Sequence, residues 1–98
     1  MEAIENATRL KARLLECSAD PARPGWLRCT VQVKDSAPVD DRPSLVPAAV
    51  GDTLAVLVGP EDRAQLDAIK PGADVVMRVR LRAPGVHTVV PGSAGVDY

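Results

Sequence analysis

Residues 53–82 read TLAVLVGPEDRAQLDAIKPGADVVMRVRLR, and the order of elements in this stretch decides the fold. Leu54, Val56 and Val58 alternate with Thr53, Ala55 and Leu57, the period-two pattern of a strand with one buried face. Gly59-Pro60-Glu61-Asp62 then opens a helix. Proline suits the first turn, and two acids sit at the positive end of the helix dipole. Leu66 and Ile69 give a narrow apolar stripe before Lys70-Pro71-Gly72 ends the helix. A helix of about nine residues is too short to stand alone, so it must pack on the strands around it. From Asp74 to Ala83 alternation returns, with Val75, Met77, Val79 and Leu81 on one face and Arg78, Arg80 and Arg82 on the other.

The flanking sequence adds three more strands. Leu10, Ala12 and Leu14 share a face, and Arg9, Lys11 and Arg13 share the opposite one. Residues 20–25, Asp-Pro-Ala-Arg-Pro-Gly, are a turn by composition. Leu27, Cys29, Val31 and Val33 then alternate with Arg28, Thr30, Gln32 and Lys34, so the first two strands are expected to form a hairpin. Residues 35–51 contain Pro38, Pro43 and Pro47 and are expected to be a long exposed loop, since proline lacks a ladder donor. Within that loop Leu45 to Val50 is apolar and is expected to cap the core. Pro84-Gly85 turns the chain into a last strand, Val86 to Val90. Residues 1–6 are expected to be a flexible arm, 7–91 a single barrel domain and 92–98 a flexible tail.

Ninety-eight residues suffice for one domain with a thin core. Phe is absent, and Trp26 and Tyr98 are the only aromatics, so the core must be aliphatic. Met1-Glu2-Ala3-Ile4-Glu5 lacks the basic and apolar runs of a signal peptide, and no stretch is long enough to span a membrane. A cytoplasmic protein with reduced thiols and no membrane partner is expected.

Strand, strand, strand, helix, strand, strand is an element order that resembles the OB-fold (the oligonucleotide- and oligosaccharide-binding barrel). Thr53 to Arg82 carries the resemblance, with its strand, its short helix bearing Leu66 and Ile69, and Lys70-Pro71-Gly72-Ala73-Asp74-Val75 leading into the next strand. It is similar to nucleic-acid-binding domains of the replication-protein and anticodon-binding kinds, and by element order the likeness covers about 80 residues. The resemblance implies an all-β, five-stranded OB-type barrel with one short helix between strands three and four. The alternative is a small SH3-like barrel, which a helix in mid-chain disfavours.

Charge supplies the functional signal. The formal net charge is −1, from 12 basic and 13 acidic residues, which argues against non-specific nucleic-acid binding by net charge alone. Yet Arg9, Lys11, Arg13, Arg28, Lys34, Arg78, Arg80 and Arg82 all fall on outward strand positions, while most acids fall in loops, the helix and the termini. In an OB barrel the first strand pairs with both the second and the fourth, so these cations are expected to form a nearly continuous basic face. Such a face attracts phosphates. Strand-face Arg and Lys also serve solubility and deter edge pairing, and that is the competing explanation. Bases usually stack on aromatic side chains in OB domains, and only Trp26 offers one here; its alternative role is to anchor the first hairpin.

The expected function is therefore a non-enzymatic module whose basic face binds single-stranded nucleic acid. Arg9, Lys11, Arg13, Arg28, Lys34, Arg78, Arg80 and Arg82 would contact phosphates, with Trp26 as the stacking platform. The alternative is a protein-interaction module that binds an acidic partner or self-associates. No catalytic residue, metal or cofactor is expected. Ser36, Ser44 and Ser93 lack an activating base, and Asp40-Asp41 reads as solvated loop charge. Cys17, Cys29 and His87 lack metal-ligand spacing. His87 reads as a surface residue. The two cysteines have opposite strand parity, so a disulfide is not expected unless a bulge shifts the register.

Overall fold

The computed structural model describes residues 7–38, 50–83 and 86–96. The expected amino-terminal arm, most of the Pro-rich segment and residues 97–98 lie outside these. Period-two alternation at residues 8–14 and 27–33 gives a long antiparallel hairpin of β1 (Thr8–Ala19) and β2 (Leu27–Pro38). β2 pairs antiparallel with β3 (Thr53–Val58). The helix α1 (Pro60–Asp67) follows, then β4 (Asp74–Ala83) and β5 (Val86–Val89). β3 meets β5 in parallel at Leu57 and Thr88, β5 pairs with β4, and β4 pairs with β1. The sheet thereby closes into a five-stranded barrel with the element order of an OB fold and its helix between the third and fourth strands.

The core is aliphatic, as the missing Phe requires. Leu10, Leu14, Val31, Val56, Val75 and Met77 are each at most 1 % exposed and meet in the barrel interior. Leu66, the one fully buried apolar residue of α1, joins the same cluster from the end of the barrel, with Ile69 packed beside it. Trp26 lies over the start of α1: a Cβ on Gly59 would stand in ordinary contact with its ring, at 3.5 Å.

Three features depart from simple alternation. The first is a bulge between Leu14 and Glu16, where Leu15 and Glu16 are both exposed. It reverses the parity of the rest of β1, places Cys17 directly opposite Cys29, and joins the pair in a disulfide with a Cα–Cα distance of 4.1 Å. The expectation of reduced, oppositely directed thiols is corrected on this point. A second shift, between Lys11 and Ala12, leaves Lys34 as the extra residue of β2. Beyond it Asp35 to Pro38 still pair with β1, so the strand extends through residues expected to begin a loop. Proline is tolerated there because it stands last in the strand.

The third lies after β5. A two-residue strand, β6 (Gly95–Val96), pairs with Val75 and Val76 of β4, and Ala94 is buried. Composition places these residues in a loose tail, but specific bonds hold them. Asp62, buried in the first turn of α1, accepts a hydrogen bond from the Gly92 N–H at 3.0 Å, and Gly92 has the positive φ of +80° that glycine accommodates. Ser93 Oγ accepts from the Arg78 N–H at 3.1 Å and lies 2.7 Å from the Val90 carbonyl, to which it donates. No helix is long and apolar enough to cross a membrane among the described residues.

Candidate nucleic-acid interface

The barrel distributes the nine expected site residues over three places. On the β1 side, Arg9 stands directly opposite Arg78, Lys11 opposite Asp35 and Val76, and Arg13 opposite Asp74. Asp74 gathers two of these cations. Lys34 Nζ donates to its Oδ2 at 2.9 Å, and Arg13 Nε lies 3.9 Å from its Oδ1. The hydrogen bond from Lys34 and the charges of Lys34 and Arg13 hold the Asp74 carboxyl below its ordinary pKa of 3.8, against a smaller opposing effect of burial. Arg13 and Lys34 are thus engaged within the protein.

The second place is a row across four strands. Arg28 of β2 is level with Leu57 of β3, Leu57 with Thr88 of β5, and Thr88 with Arg80 of β4. At about 4.8 Å per strand, the two arginines are roughly 14 Å apart along the sheet. Arg82, exposed, continues this edge of β4 at a register shift. Arg28, Arg78, Arg80 and Arg82 form no ion pair among the described residues. Arg9, opposite Arg78, and Lys11 likewise form no ion pair among the described residues, so the two places adjoin and only Arg13 and Lys34 are taken up, by Asp74.

The third place holds Trp26 alone. Its ring packs at the start of α1, and its backbone closes the β1–β2 turn, with the Asp20 N–H donating to the Trp26 carbonyl at 3.0 Å and the Trp26 N–H donating to the Arg23 carbonyl at 3.1 Å. Half-buried there, it anchors the hairpin rather than standing free as a stacking platform.

Beside the arginine row the surface opens into a groove of about 320 Å³. Asp20, Pro21, Ala22 and Arg23 of the β1–β2 turn form one wall. Arg28, Ala55 and Leu57 line the β2–β3 surface, and Val86 and His87 of β5 complete the groove. The turn is built by Asp20: one carboxylate oxygen accepts from the Ala22 N–H at 2.9 Å, and the other takes an ion pair from Arg23 at 3.2 Å. The Ala22 bond is the largest cause holding the Asp20 carboxyl below 3.8, with Arg23 and Arg28 adding to it. No known protein family and no curated protein matches the chain.

His87 was expected on the surface, and the structure corrects this. Along β5 Val86 and Thr88 are partly exposed while His87 and Val89 are buried, so the ring turns inward and is only 7 % exposed. Its Nε2 is sealed from water and has no hydrogen-bond partner. An orphaned buried polar atom of this kind costs about 1–3 kcal/mol. Burial also pushes the imidazole below its ordinary pKa of 6.5.

The sign of the pH effect follows. Below pH 6.5 the unfolded chain takes up a proton at His87 that the folded chain resists, so stability is full above 6.5 and falls as pH drops towards the lowered folded value. The contributions of Asp74 and Asp20 run in the same direction but are lost only below about pH 3.8. Thermal unfolding of the wild type is expected at a lower temperature at pH 5 than at pH 7, and His87→Leu should flatten that slope. An equal slope in the variant would show that another group carries it.

Sequence reasoning missed Asp20, Arg23 and His87. The signal for the first two was present: an Asp at the head of a turn bonds to a backbone N–H two residues on and orders the loop. For His87 there was none, because a strand of four residues is too short for its phase to be read.

Proposed function

We propose that this chain is a non-enzymatic OB-type binding module that holds single-stranded nucleic acid across the outer surface of β2, β3, β5 and β4. The observation that carries the reading is the row of Arg28, Leu57, Thr88 and Arg80, two arginines that form no ion pair among the described residues, separated by small and apolar side chains and bordered by a groove. The arginines meet phosphates and the low ground between them takes bases, with Arg78 and Arg82 extending the track. Arg guanidinium planes supply stacking where aromatics are missing. Arg9 contributes from the neighbouring strand, opposite Arg78, where two like charges gain from a shared anion. Arg13, Lys34 and Trp26 have structural partners and are secondary to the reading.

Fluorescence anisotropy of a labelled single-stranded 12-mer tests it. Binding is expected at low salt. With about four phosphate contacts, affinity should fall roughly 50-fold between 50 and 200 mM salt. Arg28→Glu and Arg80→Glu should each weaken binding roughly tenfold at low salt, while Arg13→Glu should do much less. No binding of the wild type at low salt would overturn the proposal.

The second reading, an acidic protein partner or self-association, rests on the exposed Leu15, Val50 and Val96 together with the same cations. Light scattering of the purified chain separates it, since self-association predicts a mass above the monomer.

A cytoplasmic setting is part of the proposal only if the thiols are reduced there. The chain has a Cys17–Cys29 disulfide, and disulfides persist in oxidising compartments and are rare in the cytosol. Trapping free thiols during cell lysis and comparing masses with and without reductant decides between the two settings.

A further inference from the structure

The far end of the β1–β2 hairpin is held differently from the rest of the barrel. Thr8 to Arg13 of β1 are paired on both sides, by β2 and by β4. Beyond the bulge, Glu16 to Ala19 pair with β2 alone among the described residues. Leu15, Glu16, Ser18 and Ala19 are exposed, and of residues 15–19 only Cys17 packs against the core. Segments with few buried contacts open locally at little cost. The facing part of β2 has no such weakness, because Leu27 to Gln32 are also held in the β3 ladder. The Cys17–Cys29 disulfide therefore ties a loosely held strand end to a firmly held one. Its two cysteines differ in access as well: Cys29 is wholly buried, at 0 % exposure, whereas Cys17 is partly exposed.

We infer that the Cys17–Cys29 disulfide is a thiol-exchange site, entered at Cys17 in the folded protein by small thiols and dithiols. Disulfides exchange by attack of a thiolate on one sulfur, and which sulfur reacts depends on access. Here burial closes Cys29 and leaves Cys17. A thiolate of a dithiol attacks Cys17 Sγ, the S–S bond breaks, and Cys29 leaves with the bonding electrons and takes up a proton. The second thiol of the reagent, after losing its proton, attacks the mixed disulfide, closes the reagent's own disulfide and releases Cys17, which is protonated in turn. The protein gains two electrons and two protons, and the dithiol loses them. In the product Cys29 stays in the core as a small apolar side chain, while Cys17 and the one-sided end of β1 are free to part from it. That end leads into the Asp20–Arg23 turn, so exchange acts on one wall of the groove and leaves Arg28 in its ladder with Leu57. The inference stands without the nucleic-acid reading, since it rests on pairing and burial alone.

Dithiothreitol is the first probe, used on the oxidised wild type, with loss of the disulfide followed by mass spectrometry after quenching and alkylation. The rate is expected to rise in proportion to dithiothreitol and to change by less than about twofold with urea below the unfolding transition. A rate that climbs by roughly fivefold or more per molar urea would show that the disulfide is reached only through global unfolding, and it would overturn the proposal. Glutathione disulfide probes the point of entry. Cys29→Ala, which leaves Cys17 free, should form a mixed disulfide with it under native conditions at least about tenfold faster than Cys17→Ala, which leaves Cys29 free. Equal rates, or a faster reaction at Cys29, overturn entry at Cys17. If either variant fails to fold, iodoacetamide labelling of the reduced wild type followed by peptide mapping makes the same comparison, with Cys17 expected to be alkylated first and the reverse order overturning the proposal.

Discussion

Leu10→Ala is expected to destabilise the domain by about 2–5 kcal/mol, as large buried aliphatics generally do on truncation. Leu10 is wholly buried, and its strand is the only one that pairs with both β2 and β4, so its side chain projects where the barrel closes. It belongs to a core without a single phenylalanine, and its partner across the β1–β4 ladder is the buried Met77. Against a total stability of about 5–15 kcal/mol for a domain, the variant would be marginal or unfolded at 37 °C. Urea denaturation followed by circular dichroism measures it. A loss below about 1 kcal/mol would mean that β1 does not close the barrel in the way described.

Reduction of the Cys17–Cys29 disulfide is expected to cost about 3 kcal/mol, the chain-entropy value for a loop of this length. The two residues are 12 apart in sequence, and they close the far end of the hairpin, beyond the bulge at Leu15. That end carries the turn from Asp20 to Trp26 and hence one wall of the groove. Denaturation of the wild type with and without a reductant gives the number. A Cys17→Ala, Cys29→Ala variant separates the covalent link from any side effect of the reductant, and it should match the reduced wild type. If both unfold at the same denaturant concentration as the oxidised protein, the link contributes nothing.

The same two cysteines show where the sequence ceases to be legible. Alternation fixed the faces of β1 from Leu10 to Leu14 and of β2 from Leu27 to Val33 correctly, because each run buries one face and a slip of one residue would expose it. A bulge has no such signature. It inserts one residue and reverses every face after it, so reading parity straight through residues 15 and 16 put Cys17 on the wrong side. The helix was legible for the opposite reason, since Gly59-Pro60-Glu61-Asp62 combines a backbone signal with a charge signal at one position.

For the candidate site, the sequence identified outward cations but not their neighbours. That Arg13 and Lys34 converge on Asp74 depends on residues 40 and 61 positions away, which only the closed barrel brings together. The row from Arg28 to Arg80 depends likewise on the parallel contact of β3 with β5, a pairing of strands that are not consecutive. Local pattern decides which side chains point outward; the register of distant strands decides which of them act together.

The most direct measurement of the central claim is a titration of isotope-labelled protein with a single-stranded oligonucleotide at low salt, following backbone amide shifts by NMR. The proposed interface predicts that the largest shifts map to Arg28, Leu57, Thr88 and Arg80 and to the Asp20–Arg23 turn. Shifts confined to Lys11, Arg13 and Lys34, or no shifts at saturating oligonucleotide, would contradict it.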